Sequence, residues 1–170
     1  MTFFELENRK DNSMTQAIPN DMRSLTPHLI VKDAAAAIEF YKSAFGAIEQ
    51  CCMKMPGSEK IMHAQIQIGD SKLMLAEEFP DCGGKSPLSL GGSPVTLHHY
   101  VENVDEAFQK ALKAGAQETM PVQDMFWGDR YGKLKDPFGH EWALATHVKD
   151  MTPEETMKAA EECFKQPVGS

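Results

Sequence analysis

The sequence is short of basic charge, of long apolar runs and of patterned cysteine, and each shortage removes a class of function. Seventeen lysines and arginines stand against 25 aspartates and glutamates, a formal charge of −8. No basic run reverses that balance locally, so phosphate backbones are repelled and nucleic acid is not an expected partner. No window approaches the ~20 apolar residues of a bilayer-spanning helix, and Met1 to Asn20 is too polar for the middle of a secretory signal. The expected setting is cytoplasmic, with no membrane partner. Cysteines 51, 52, 82 and 163 show neither zinc-type spacing nor a Cys-x-x-Cys pair, and are expected as reduced thiols. A glycine-rich phosphate loop, a Gly-x-Ser-x-Gly elbow and a His-Glu-x-x-His motif are also absent.

What is present is an internal echo. Pro-His-Leu-Ile-Val-Lys-Asp around His28 precedes an alanine-rich amphipathic stretch ending Phe45-Gly46. Leu-His-His-Tyr-Val-Glu-Asn around His98 precedes a second such stretch ending at Gly115. Position 98 lies 70 residues after position 28, and Gly139 lies 70 after Gly69. Two half-chains of about 60 residues are each marginal alone and must share a core. Function is therefore expected where they meet.

Hydrophobic period and turn residues divide the chain further. Residues 1–24 lack a period and are expected to be a flexible leader, within which Met14 is an alternative start. Residues 25–79 form a first β-α-β-β-β module, with strands at His28–Lys32, Ile48–Met55, Ile61–Ile68 and Lys72–Glu77 and a helix capped by Asp33. Residues 80–94, dense in Gly, Ser and Pro, are the expected linker. Residues 95–150 repeat the module, with a helix opened by Asn103 and Glu106, and strands at Val95–Glu102, Glu118–Gln123, Gly132–Lys135 and His140–His147. Residues 151–170 are a C-terminal helix and tail, opened by Thr152-Pro153-Glu154-Glu155.

Strand alternation assigns side chains to faces, and the helix must cover the more apolar one. Leu29 and Val31, Met62 with Ala64, Ile66 and Ile68, and Leu97 with His99 and Val101 go under helices. His28, His63, His98 and Tyr100 are left on the uncovered face, with Gln65 and Gln67. Imidazoles, amides and a phenol over an apolar floor suit a small-ligand pocket; the alternative is a solvated open sheet. His99, on the covered side, is expected to be a hydrogen-bonded structural histidine. Arg130 and Trp127 either meet a ligand, as guanidinium fork and flat indole, or pair with Asp129 or Asp136 and close the core. Glu77 and Glu78 are expected to be solvated.

These features resemble the glyoxalase, bleomycin-resistance and extradiol-dioxygenase superfamily, also called vicinal oxygen chelate. The carriers are the paired modules, Phe40-Tyr41-x-x-x-x-Gly46, and Asp136-Pro137-Phe138-Gly139-His140. Met125-Phe126-Trp127-Gly128-Asp129-Arg130-Tyr131-Gly132, Ile68-Gly69-Asp70-Ser71 and Ala145-Thr146-His147 are similar to its PhnB-like subgroup. The resemblance implies an α+β fold, an eight-stranded cup-shaped sheet, commonly a homodimer, and a cavity between paired modules. It implies a metal only where ligands exist, and the four ligand positions fall on Thr26, Met74, Thr96 and Ala143. None suits a hard divalent ion; Met74 suits copper best. A methyltransferase label carried by some members finds no support, because no glycine-rich cofactor-binding turn is present.

The resulting expectation is a homodimer that holds a small organic ligand between its modules, using His28, His63, His98, Tyr100, Trp127 and Arg130, with no metal cofactor. The alternative is a glyoxalase-type lyase or isomerase. It would use His28 or His98 as general base, or a displaced divalent metal among His28, His63 and His98. A third possibility is a cup filled by the chain's own Phe126 and Trp127.

Overall fold

The computed structural model describes residues 16–19, 21–79, 81 and 83–165. Most of the expected leader, with Met14, lies outside the described residues, as do Cys82 and residues 166–170. The first module runs β1 (His28–Val31), α1 (Ala34–Phe45), β2 (Ile48–Lys54), β3 (Ile61–Ile68) and β4 (Ser71–Glu77). After α2 (Pro87–Leu90), the second runs β5 (Thr96–Tyr100), α3 (Val104–Ala114), β6 (Gln117–Asp124), β7 (Asp129–Lys135) and β8 (Glu141–His147), followed by α4 (Pro153–Lys165). The sheet orders are β1-β4-β3-β2 and β5-β8-β7-β6, with β1 parallel to β4 and β5 parallel to β8. The eight strands of this α+β fold thus form two sheets of one topology.

Local chemistry fixes the helices. The Asp33 carboxylate accepts from the Ala36 amide at 2.9 Å, and α1 stops at Gly46, whose φ of 67° suits a residue without Cβ. Asn103 caps α3 by accepting from the Glu106 amide at 3.2 Å, while its own amide donates to the Glu106 carboxylate at 2.8 Å. Thr152 and Glu155 form a reciprocal capping box on α4. Edge strand β6 carries Pro121, which has no N–H to give, and the β6–β7 register is irregular between Met120 and Gln123.

Both helices lie on the same side of their sheets and against each other, so one core serves both modules. An aromatic group crosses the boundary: Phe45 lies 4.4 Å and Tyr41 5.6 Å from Trp142 between ring centres. Its polar centre is Asp136, which is 3 % exposed. One carboxylate oxygen accepts from the Tyr41 hydroxyl at 2.8 Å and from the Trp142 indole N–H at 3.0 Å. The other accepts from the amides of Phe138 and His140, both at 2.9 Å. A carboxylate this deep costs several kcal/mol unless it is hydrogen-bonded, and four donors meet that need.

Three expectations change. Met62 is 47 % exposed rather than buried, because a register shift at Met53/Lys54 pairs Ile61 with Lys54 and turns Ile61 inward. The linker contains the short helix α2, capped by the Ser86 hydroxyl and bearing Pro at its start. Glu77 and Glu78 are engaged rather than simply solvated. Glu77 is buried and accepts from the Ala34 amide at 3.0 Å, offsetting the free N–H groups of α1. Glu78 accepts from the Ser86 amide, the Ser86 hydroxyl and the Ser89 hydroxyl, bonds that pull its pKa down to about 2.

Replacing Asp136 by Ala leaves the Tyr41 hydroxyl and the Trp142 N–H buried without partners. Each such group costs about 1–3 kcal/mol. Urea unfolding is expected to show a loss of roughly 3 kcal/mol or more for Asp136→Ala and about 1 kcal/mol for Tyr41→Phe.

Candidate functional site

The uncovered face of the second sheet carries a ring cluster. His98 lies 4.6 Å from Tyr100 and 5.7 Å from Tyr131, and Tyr131 lies 5.6 Å from Trp127, between ring centres. Asp129 anchors it. One of its oxygens accepts from the Tyr100 hydroxyl at 3.0 Å and the Trp127 indole at 3.1 Å, and the other lies 2.8 Å from His147 Nδ1. The turn that presents Trp127 depends on Gly128, which has φ 98° and whose carbonyl accepts from both Val148 and Lys149. A Cβ there would lie 2.1 Å from the Lys149 carbonyl oxygen. No other residue fits.

This cluster sets protonation. Burial works to raise the Asp129 pKa, but the bonds from His147, Tyr100 and Trp127 outweigh it and hold the carboxyl below 3.8. His147, between Asp129 and Asp150, is held above 6.5. Tyr100 is also raised, first by its bond to Asp129.

On the first sheet, His28 and His63 meet edge to face with ring centres 5.9 Å apart. His98 belongs to the other sheet, so the three histidines do not assemble into one group. Arg130 is on the helix side of β7. Its guanidinium forms a bidentate pair with Asp105 of α3, at 2.7 Å for both bonds, and a third bond to Asp124 at 3.0 Å. Asp105 and Asp124 thus take the place expected for Asp129 or Asp136, because Arg130 alternates to the face opposite Asp129.

Between the modules lies a cavity of about 740 Å³, within the range of small-molecule sites. Its first-module wall is the β3–β4 turn, Ile68 to Leu73, and its second-module wall is Val95 to Tyr100 with Trp142; Arg23, Leu25 and Pro27 complete the rim. His98 and Tyr100 line it. His28 lines a neighbouring hollow of about 260 Å³, and His63, Trp127 and Arg130 line neither. Phe126 packs on Trp127 and Phe164 rather than filling the cavity.

The residue missed by sequence reasoning is His99. It lies on the covered side as expected, against Phe45 at 5.9 Å, but its Nδ1 is buried with no hydrogen-bond partner among the described residues. It also lines the cavity. Burial, and then the neighbouring His98, lower its pKa, so the ring is neutral at pH 7. The ring thus adds a neutral imidazole to the largely apolar cavity wall, while its unpartnered Nδ1 is closed to solvent. Parity carried back from Lys135 would also have placed Tyr131 and Asp129 beside His98; the adjacent Arg130 obscured that.

The Glyoxalase/Bleomycin resistance protein/Dioxygenase superfamily model matches residues 23–144. The chain belongs to this superfamily. Among relatives, the uncharacterized protein Mb0911c of Mycobacterium bovis is 47% identical over 140 residues, covering 80% of this chain and 91% of that protein. Among solved structures, the PhnB protein of Bacillus cereus superposes with a TM-score of 0.57 at 21% identity, covering 73% of this chain and 99% of that one. The fosfomycin resistance protein FosX of Listeria monocytogenes, solved with Mn(II) and sulfate, has a TM-score of 0.56 at 22% identity, covering 82% and 99%. At those identities the two structures show a shared fold.

The four positions that the resemblance assigns to metal ligands do not suit a hard divalent ion. Thr26 and Thr96 offer only hydroxyls, Met74 a soft thioether and Ala143 a buried methyl. No group of three His, Cys, Asp or Glu residues poised to hold a metal occurs among the described residues.

The His147–Asp129 pair gives a pH signature. The raised His147 pKa adds stability that is complete below 6.5 and lost as pH rises through the raised value. The lowered Asp129 pKa adds stability lost only as pH falls below 3.8. Urea midpoints of the protein and of His147→Gln are therefore expected to differ most near about pH 5–6 and to converge as pH rises through the raised His147 value.

Proposed function

We propose that this superfamily member binds a small organic molecule in its inter-module cavity and does so without a catalytic metal. The observation that carries the reading is the cavity of about 740 Å³ between the modules, whose largely apolar wall ends at His98, His99 and Tyr100. The guest that fits is flat and largely apolar. Its body lies against Leu97, Trp142, Ile68 and Leu73, and one polar atom reaches the His99 end, near His98 and Tyr100. Trp142 thus takes the part that the sequence suggested for Trp127.

The proposal places the protein in the cytoplasm as a homodimer. Support for pairing comes from the outer strands, since every residue of β2 is exposed and Tyr100 and Met53 stand open on the uncovered faces. Among the described residues no helix is long and apolar enough to cross a membrane.

A thermal-shift screen of flat aromatic amides and acids tests the binding. A guest at 100 times its Kd adds about 2.7 kcal/mol, or roughly 5–10 °C for a chain of this length. Val95 lines the cavity mouth and is 61 % exposed, so Val95→Trp is expected to remove the shift while leaving the far-UV spectrum intact. An equal shift in that variant, or no guest in the whole screen, contradicts the reading.

A further inference from the structure

We propose, building on guest binding in the inter-module cavity, that the guest is a flat carboxylic acid whose carboxylate is received at the first-module wall by Lys72 and Arg23. Lys72 is the second residue of β4 and lines the cavity where the chain leaves the β3–β4 turn. Its side chain is only 9 % exposed, and its ammonium donates to the Asp21 carboxylate at 2.8 Å. An ammonium carries three N–H donors, so that single bond leaves two with no partner among the described residues. Lys72 already holds one carboxylate, and it has donors for another. A cation this sheltered attracts an anion more strongly than a solvated one, because less water stands between the charges.

A second cation lies on the same rim. Arg23 lines the cavity two residues after Asp21, and its backbone carbonyl accepts from the Thr26 hydroxyl at 3.3 Å, closing a short turn at the cavity mouth. Arg130, by comparison, is bonded to Asp105 and Asp124, whereas the Arg23 guanidinium has no ion-pair partner among the described residues. Its planar fork matches a carboxylate. The acidic residue of the cavity wall is Asp70, which sits exposed on the β3–β4 turn and accepts from the Ser71 hydroxyl at 2.9 Å. Water weakens the repulsion between that exposed carboxylate and a guest anion far more than it weakens the attraction of the sheltered ammonium. The balance favours an anion. With its carboxylate at this wall, the ring of the guest lies against Leu97 and Trp142 on the opposite one.

The probes are naphthoate and its primary amide, naphthamide, which share one ring system and differ in charge, titrated into the full chain by calorimetry at neutral pH. The acid is expected to bind at least tenfold more tightly than the amide. In Lys72→Met that preference is expected to fall to threefold or less, and in Arg23→Gln, where the lost cation is exposed, to fall by a smaller factor. The comparison of acid with amide in the unsubstituted protein is decisive even where a variant misfolds. An amide that binds as tightly as the acid, or a preference unaltered in both variants, overturns the carboxylate assignment and leaves guest binding in place. Binding of neither probe also overturns the assignment. If the thermal-shift screen finds no guest either, the receptor reading itself falls with it.

Discussion

The Asp136 carboxylate is the contact on which the arrangement of this protein depends. It sits in the turn before β8, in the second module, and its strongest side-chain donor is Tyr41 of α1, in the first. Because the same carboxylate fixes the amides of Phe138 and His140, the turn, the helix and Trp142 are held as one body. Neither module has a core large enough to be secure alone, and the aromatic group around Asp136 is where the two cores become one. Burial of Tyr41 and the nearby carboxylate hold its phenol well above the ordinary tyrosine range, so the hydroxyl is a donor at neutral pH.

Joining the modules through their helix layers leaves the opposite faces of both sheets bare. That one choice explains where the polar rings are. Histidine on a helix-covered strand position must find a partner in the core, whereas on the bare face it meets only other side chains and water. The first sheet gathers His28 and His63; the second gathers His98, Tyr100, Tyr131 and Trp127 around Asp129. The cavity belongs to neither face. It opens where the β3–β4 turn passes the β5 edge, and it collects side chains from both sides of β5, His98 and His99 alike.

The folding pattern was largely legible in the residues, since caps and strand period act locally. Asp33, Asn103, Thr152, Gly46 and Gly115 mark helix ends by chemistry that depends on nearest neighbours alone. Site assembly was less legible, because it depends on contacts far apart in sequence. Arg130 was read against its neighbours Asp129 and Asp136, while its actual partner Asp105 is 25 residues away on α3. Parity puts His99 on the correct side, but parity does not tell whether a core nitrogen finds a hydrogen-bond partner. Met62 and Ile61 exchanged roles through a bulge that no side-chain pattern announces.

Membership of the superfamily supplies the scaffold, and this chain's own residues decide what the scaffold holds. The account's central claim is that the space between the modules is a real receptor with His99 at its polar end. A crystal structure of the protein soaked with a flat aromatic amide tests it most directly. The account predicts density between residues 68–73 and 95–100, with a polar atom of the guest within about 3.2 Å of a polar atom of His98 or Tyr100. Side chains of the protein filling that space, or a guest seated elsewhere, would contradict it.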